Sequence, residues 1–191
     1  ISSLPLFGGY NFTKNEPTPE WAIIQKLKPL FDIKLIDKKT KSFEDFEILF
    51  LVHPKKLSDE EKRKVINFYD NKGKILVLYD VYSEADQEFQ DPSLPPAGGG
   101  IQSSDFQELL DRIGISIDQS KVLLDRKYAI PVTSANSDRP IKHAAILSFP
   151  KNSFNKNLNI TNKLNSLTSA FSGSIVNTNM SNSFIPLISS S

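Results

Sequence analysis

The chain contains no cysteine, which removes disulfides, thiolate metal sites and any cysteine nucleophile at once. That absence does not fix the compartment, because a chain of this length can be stable without disulfides in an oxidising space. An excess of either charge is also missing. Lys and Arg number 23 against 22 Asp and Glu, so no overall field draws the chain to nucleic acid or to an anionic membrane surface. The basic runs at Lys38, Lys39 and Lys41 and at Lys62, Arg63 and Lys64 read as solvated faces. No apolar run approaches the roughly 18 residues that a bilayer-spanning helix needs. Several catalytic signatures are missing as well. Without G-x-S-x-G no serine is visibly set on a strained strand-to-helix elbow, and without G-x-G-x-x-G or a P-loop lysine the Gly8-Gly9 pair is a poor phosphate cradle. No basic stripe alternates with exposed aromatics, so no nucleic-acid partner is expected.

What is present is concentrated in residues 48–86. Ile48, Leu49, Phe50, Leu51 and Val52 form a continuous apolar run of the kind found in strands buried on both faces, and Pro54 ends it. Ser58 with Glu61 three residues later fits a capping box. The helix it opens runs to about Asn71, where Gly73 stands at the position of a left-handed cap. Residues 75–79 form a second apolar run, so 48–79 reads as a βαβ unit with parallel strands and a right-handed crossover.

Around this unit the chain alternates strand and helix. Residues 1–6 read as a strand tail, Thr18 and Pro19 as the N-cap and first residue of a helix, and Ile23, Ile24, Leu27, Leu30 and Phe31 as its packed face. Trp21 reads as core. A short strand is expected over 33–36, and the alternation predicts a helix-flanked, mostly parallel sheet. Residues 80–101 form a long connection rich in acid, proline and glycine, and a structureless loop of about twenty residues inside a compact domain is often a binding loop or a mobile lid. Ser104 with Gln107 predicts a second capping box and a helix that Gly114 closes. Beyond residue 115 short strands are expected at 122–124, 128–132 and 144–149, partly antiparallel, then a short helix near 161–167 and strands near 174–176 and 184–188. The expected organisation is one α/β domain over 1–191, with a parallel βα core in 1–115 and a β-rich extension in 116–191. The chain opens on Ile1 inside a strand, so a piece of a longer protein is expected, with any signal or anchor outside it.

In open parallel sheets ligands gather at the carboxyl ends of the strands. His53, Asp80, Tyr82, Glu84 and Asp86 fall there and are the candidate binding residues. His53, Asp80, Glu84 and Asp86 together could suit a divalent cation. The plainer alternative is that Asp80 and Asp86 cap turns. Alanine at both positions is expected to weaken binding and leave stability near wild type. An amidotransferase-like hydrolase is excluded by the missing cysteine. The sequons at Asn11, Asn159 and Asn179 carry little weight in so asparagine-rich a chain.

Several segments together resemble a known family: Ser2-Ser3-Leu4-Pro5-Leu6 with Gly8-Gly9, Trp21-Ala22-Ile23-Ile24, Val52-His53-Pro54-Lys55-Lys56-Leu57-Ser58, and Gly73-Lys74 leading to Asp80-Val81-Tyr82-Ser83-Glu84-Ala85-Asp86. The stretch 109–113 before Gly114, Asp125-Arg126-Lys127-Tyr128-Ala129 and Phe184-Ile185-Pro186-Leu187 agree in kind. The chain is similar to the auxiliary component of uncharacterised ABC-type transport systems, the family that includes gliding-motility auxiliary proteins. The resemblance implies a bacterial inner-membrane protein whose α/β domain faces the periplasm, with membrane anchors outside this segment. It implies an ABC permease and its ATPase as partners, and a Rossmann-like fold of the amidotransferase-like or flavodoxin-like kind without catalytic residues. No enzyme activity, cofactor, catalytic residue or metal ligand is carried across with it. The alternative reading is a module that binds a small molecule or glycan at the carboxyl edge of the sheet, with Tyr82 stacking on a ring.

Overall fold

The computed structural model describes residues 1–2, 4–11, 15–36, 40–86, 103–133, 139–179 and 184–190. The chain forms two compact units, Ile1–Leu109 and Leu110–Ser191.

The first unit opens with a hairpin of β1 (Gly9–Asn11) and β2 (Glu16–Thr18), Gly9 facing Thr18. Gly8, at φ +79°, backs onto that strand so closely that a Cβ there would sit 2.6 Å from the Thr18 carbonyl oxygen. Gly8 is therefore a packing device. Helix α1 (Ala22–Leu27) starts later than the Thr18-Pro19 signal predicts. Thr18 is occupied in the hairpin, and the Trp21 N–H bonds the Leu6 carbonyl at 2.9 Å, which keeps Trp21 extended. Ile24 is buried with Leu4, Leu6 and Val52, and Phe7, Trp21 and Phe50 pack against them. The expected strand at 33–36 does not form. Leu35 is 60 % exposed, so that segment has no buried face to hold it in a ladder.

The βαβ unit is present. Strands β3 (Ile48–Val52) and β4 (Lys74–Leu78) pair in parallel from Ile48 opposite Lys74 to Val52 opposite Leu78. Between them runs α2 (Asp59–Asp70), closed at its start by the expected capping box: the Glu61 N–H donates to Ser58 Oγ, and the Ser58 N–H donates to Glu61 Oε2 at 2.8 Å. Its end corrects the sequence expectation. The left-handed residue is Lys72, at φ +69°, and the Gly73 and Lys72 amides bond the Phe68 and Tyr69 carbonyls, the two bonds of a Schellman motif. Gly73 serves a different need, since a Cβ on it would lie 2.3 Å from the Phe68 ring.

Burial of β3 and β4 on both faces is only half realised. Leu49, Leu51, Val65 and Phe68 are buried and α2 packs on β4, whereas Ile48, Leu76 and Leu78 are exposed. A parallel bridge between Ser2 and Val52 lies along the other edge of β3. Among the described residues β3 and β4 are the one parallel pair of strands, so the architecture is mixed α/β with several small sheets. The next strand in the chain pairs antiparallel with a late one, which is why no mostly parallel sheet builds up.

The division between the units falls inside α3 (Gln107–Ile113). In the second unit β5 (Ile115–Ile117) pairs antiparallel with β9 (Ile175–Asn177), and β6 (Ala129–Val132), β7 (Ile141–Pro150) and β8 (Ser166–Ala170) form an antiparallel sheet in that order. Along β7 Ala145, Leu147 and Phe149 are buried at alternate positions, the pattern of a half-buried strand. Leu147, Phe149 and Phe154 form the core, with Leu123, Tyr128 and Ile188 against it. Residues 122–124 form no strand, although the Leu123 N–H bonds the Ser172 carbonyl at 2.7 Å. Instead of a helix over 161–167, the Thr161 hydroxyl turns back to the Asn155 carbonyl at 2.5 Å and Leu167 joins β8 opposite Phe149. In place of a strand at 184–188, Ile188 makes a single bridge to Phe154.

Candidate functional site

The site lies in the first unit, where three chain segments meet. At the end of β3 the backbone turns sharply: His53 sits at φ +47° and Lys56 at +54°. The left-handed region costs a non-glycine residue about 1–2 kcal/mol, and such strain persists only where surroundings enforce it. Here the His53 N–H carries the parallel ladder one step further, to the Leu78 carbonyl at 2.8 Å, and its ring is fully buried.

The second segment is 80–86, directly after β4. Val81, Ser83 and Asp86 are buried, and Tyr82 and Glu84 are exposed. Asp80 Oδ2 lies 3.2 Å from His53 Nδ1, and Asp86 Oδ2 lies 3.1 Å from His53 Nε2. The same Asp86 oxygen accepts from Lys55 Nζ at 2.5 Å, both side chains being nearly inaccessible.

The third segment is 103–106. Ser104 Oγ accepts the Asp80 N–H at 3.0 Å and stands 3.2 Å from His53 Nδ1. The Ser104 N–H donates to the Asp80 carbonyl, and the Tyr79 hydroxyl donates to the Ser104 carbonyl. Asp105 takes the Lys56 N–H on its carboxylate at 3.0 and 3.1 Å and donates its own N–H to the Pro54 carbonyl.

Burial opposes a charge on His53, but the hydrogen bonds to Asp80 and Asp86, with their charges, outweigh it and raise the pKa above 6.5. A charged ring donates from both nitrogens, which matches a carboxylate on each side. Two cations, His53 and Lys55, then balance two anions, Asp80 and Asp86, as a buried ionic cluster requires.

Ser104, His53 and Asp86 stand in the hydroxyl, imidazole, carboxylate order of an acyl-transfer triad. Their setting differs from that of a nucleophile. Ser104 is 0 % exposed, and its oxygen already accepts a backbone amide proton. The cation reading meets a similar difficulty: both ring nitrogens face carboxylates, and among the described residues no group of three or more His, Cys, Asp or Glu is arranged to hold a metal ion.

Of the candidate residues, the structure brings His53, Asp80 and Asp86 together and leaves Tyr82 and Glu84 exposed on the same segment. For the pair Asp80 and Asp86 replaced together by alanine, the burial of Asp86 against His53 and Lys55 changes the expected outcome from unchanged to lowered stability. Residues 87–101 of the expected binding loop lie outside the described residues. Sequence reasoning missed Lys55 and Ser104. Ser104 was expected to cap a helix, yet α3 starts only at Gln107 and the hydroxyl is spent on Asp80 and His53. The motif Val52-His53-Pro54-Lys55 was the available signal for Lys55; a strand that ends in a buried histidine needs charge partners.

Among the described residues no helix is long and apolar enough to cross a membrane. No curated protein and no solved structure matches the chain. A family model does, over residues 2–191, a span that takes in every segment of the His53 cluster as well as the β-rich second unit. The chain therefore belongs to the auxiliary-component family described as ABC-type uncharacterized transport system.

Proposed function

We propose that this chain is a non-catalytic, periplasm-facing domain of a bacterial inner-membrane auxiliary protein that works with an ABC permease and its ATPase. In this reading the fold is a reduced relative of Rossmann-like domains, with the parallel β3–β4 pair as its centre. The contact surface is the carboxyl edge of that pair, where Asp80, Tyr82 and Glu84 are displayed. The observation that carries the reading is the contrast along 80–86: Val81, Ser83 and Asp86 are buried and Tyr82 and Glu84 are exposed, with Asp86 held by His53 and Lys55 and the Asp80 backbone held by Ser104. A rigid loop that presents one aromatic and one acid suits recognition, because little conformational entropy is lost on binding.

The test is mild cross-linking of the full-length protein in native membranes, followed by affinity capture and mass spectrometry. Wild type should bring down a permease and an ATPase subunit, and Tyr82→Ala with Glu84→Lys should lose them while the protein stays folded. Recovery of neither subunit with wild type refutes the proposal. One observation favours a second reading: Tyr82 is 43 % exposed and lies two residues after the half-open Asp80 carboxylate, a combination that also suits a sugar ring. A glycan ligand would raise the melting temperature of wild type and fail to do so in Tyr82→Ala.

A further inference from the structure

His53 Nδ1 has two neighbours at the same distance, Asp80 Oδ2 at 3.2 Å and Ser104 Oγ at 3.2 Å, and they differ in chemistry. A carboxylate can only accept, so its bond needs a proton on Nδ1. A hydroxyl can accept or donate; the Ser104 oxygen already accepts the Asp80 N–H, and its own hydrogen can turn to a bare ring nitrogen.

The opposite side of the ring faces a second carboxylate. Nε2 faces Asp86, which is buried and held by Lys55, so the Nε2 proton stays in place and the ring loses its proton from Nδ1. The groups around the ring come from each packed segment: Asp80 and Asp86 from the connection after β4, Lys55 from the turn after β3, and Ser104 from the segment before α3. Tyr79 is engaged with the Ser104 carbonyl, and Asp105 with the Lys56 amide. Of the two carboxylates, Asp80 has the exit, with 40 % of its side chain exposed against 7 % for Asp86.

We propose that the protonation state of His53 selects the partner of its Nδ1, Asp80 when the ring is charged and the Ser104 hydroxyl when it is neutral. Asp80 is thereby held in the fold at lower pH and released to the contact edge at higher pH. This regulation of the edge rests on the binding reading above only for what Asp80 then meets; the exchange of partners stands on the geometry of the isolated chain.

The experiment is an NMR titration of the isolated chain over about pH 5 to 9, following the ring nitrogens of His53 and the carboxyl carbon of Asp80. His143→Gln identifies the His53 signals, since the chain has two histidines. The expected result is loss of the proton from Nδ1 with retention at Nε2, and an Asp80 carboxyl shift with the same midpoint. Asp80→Asn should move that midpoint to lower pH, and Ser104→Ala should move it to higher pH, because the neutral ring has lost its donor. Deprotonation at Nε2, or an Asp80 signal that stays flat through the His53 transition, overturns the proposal. The wild-type titration decides this even if a variant does not fold. Because it uses no partner, a flat Asp80 signal with successful subunit capture sinks the switch alone, and the reverse pattern sinks the binding reading alone.

Discussion

Replacing Asp86 by alanine tests whether the buried cluster holds the first unit together. One oxygen of Asp86 serves His53 at 3.1 Å and Lys55 at 2.5 Å, and the three side chains are 7 %, 0 % and 5 % exposed. Removing one partner of a buried pair typically costs about 3–5 kcal/mol, because the opposite charge is left in a medium that cannot solvate it. His53 can shed its proton in response, so the low end, about 3 kcal/mol, is the expected loss. Trp21 supplies the assay. It is the sole tryptophan and packs against Leu4, Leu6, Ile24 and Val52, so its fluorescence follows the unit Ile1–Leu109. With a urea slope of about 2 kcal/mol per molar, the midpoint should fall by about 1.5 M. Asp80→Ala, at a half-open site, should move it far less. Exchanging both partners for apolar side chains, Lys55→Met with Asp86→Leu, should recover most of the loss, since a desolvated pair is removed whole. An Asp86→Ala midpoint at the wild-type value refutes the reasoning, as does a double variant that is worse than the single one.

Other substitutions in the first unit separate the roles of single residues. The folded His53 pKa is raised above 6.5, so its stabilisation is complete below about pH 6.5 and is lost as pH rises through the folded value; the urea midpoint should decline over that window, and the decline should be absent in His53→Gln. Gly73→Ala puts a methyl on the Phe68 ring and should lower stability by about 1–3 kcal/mol, whereas Lys72→Gly relieves a left-handed residue and should raise it by up to about 1 kcal/mol; thermal melts of both separate the two roles. Ser58→Ala removes one half of the capping box and should cost about 1 kcal/mol, read by the same urea titration.

The local signals in the sequence were reliable where they were self-contained. The capping box needs only Ser58 and Glu61, and the βαβ unit needs only two apolar runs and the helix between them, so both are visible without a partner. The signals that failed depended on distant residues. Thr18 cannot cap a helix while Gly9 holds it in a hairpin, and Ser104 cannot cap α3 while Asp80 and His53 occupy its hydroxyl. Topology placed His53, Asp80 and Asp86 at one sheet edge, which the structure shows, but burial divides them from Tyr82 and Glu84, and alternation over 80–86 alone does not say which residues lie inside. The β-rich second unit was least legible, because its cross-strand pairs join residues far apart in the chain, as Ile115 with Asn177.

The three-segment meeting at His53 also has a kinetic meaning. Its bonds to Asp86 and to Ser104 close chain separations of 33 and 51 residues, whereas α2 and its cap form from neighbours. Closing long loops is entropically unfavourable until the contacts that reward it exist. The histidine cluster is therefore expected to assemble after α2 and its cap, so that a nascent or partly unfolded chain would display no ordered Tyr82 and Glu84 edge until those long-range contacts of the first unit have closed.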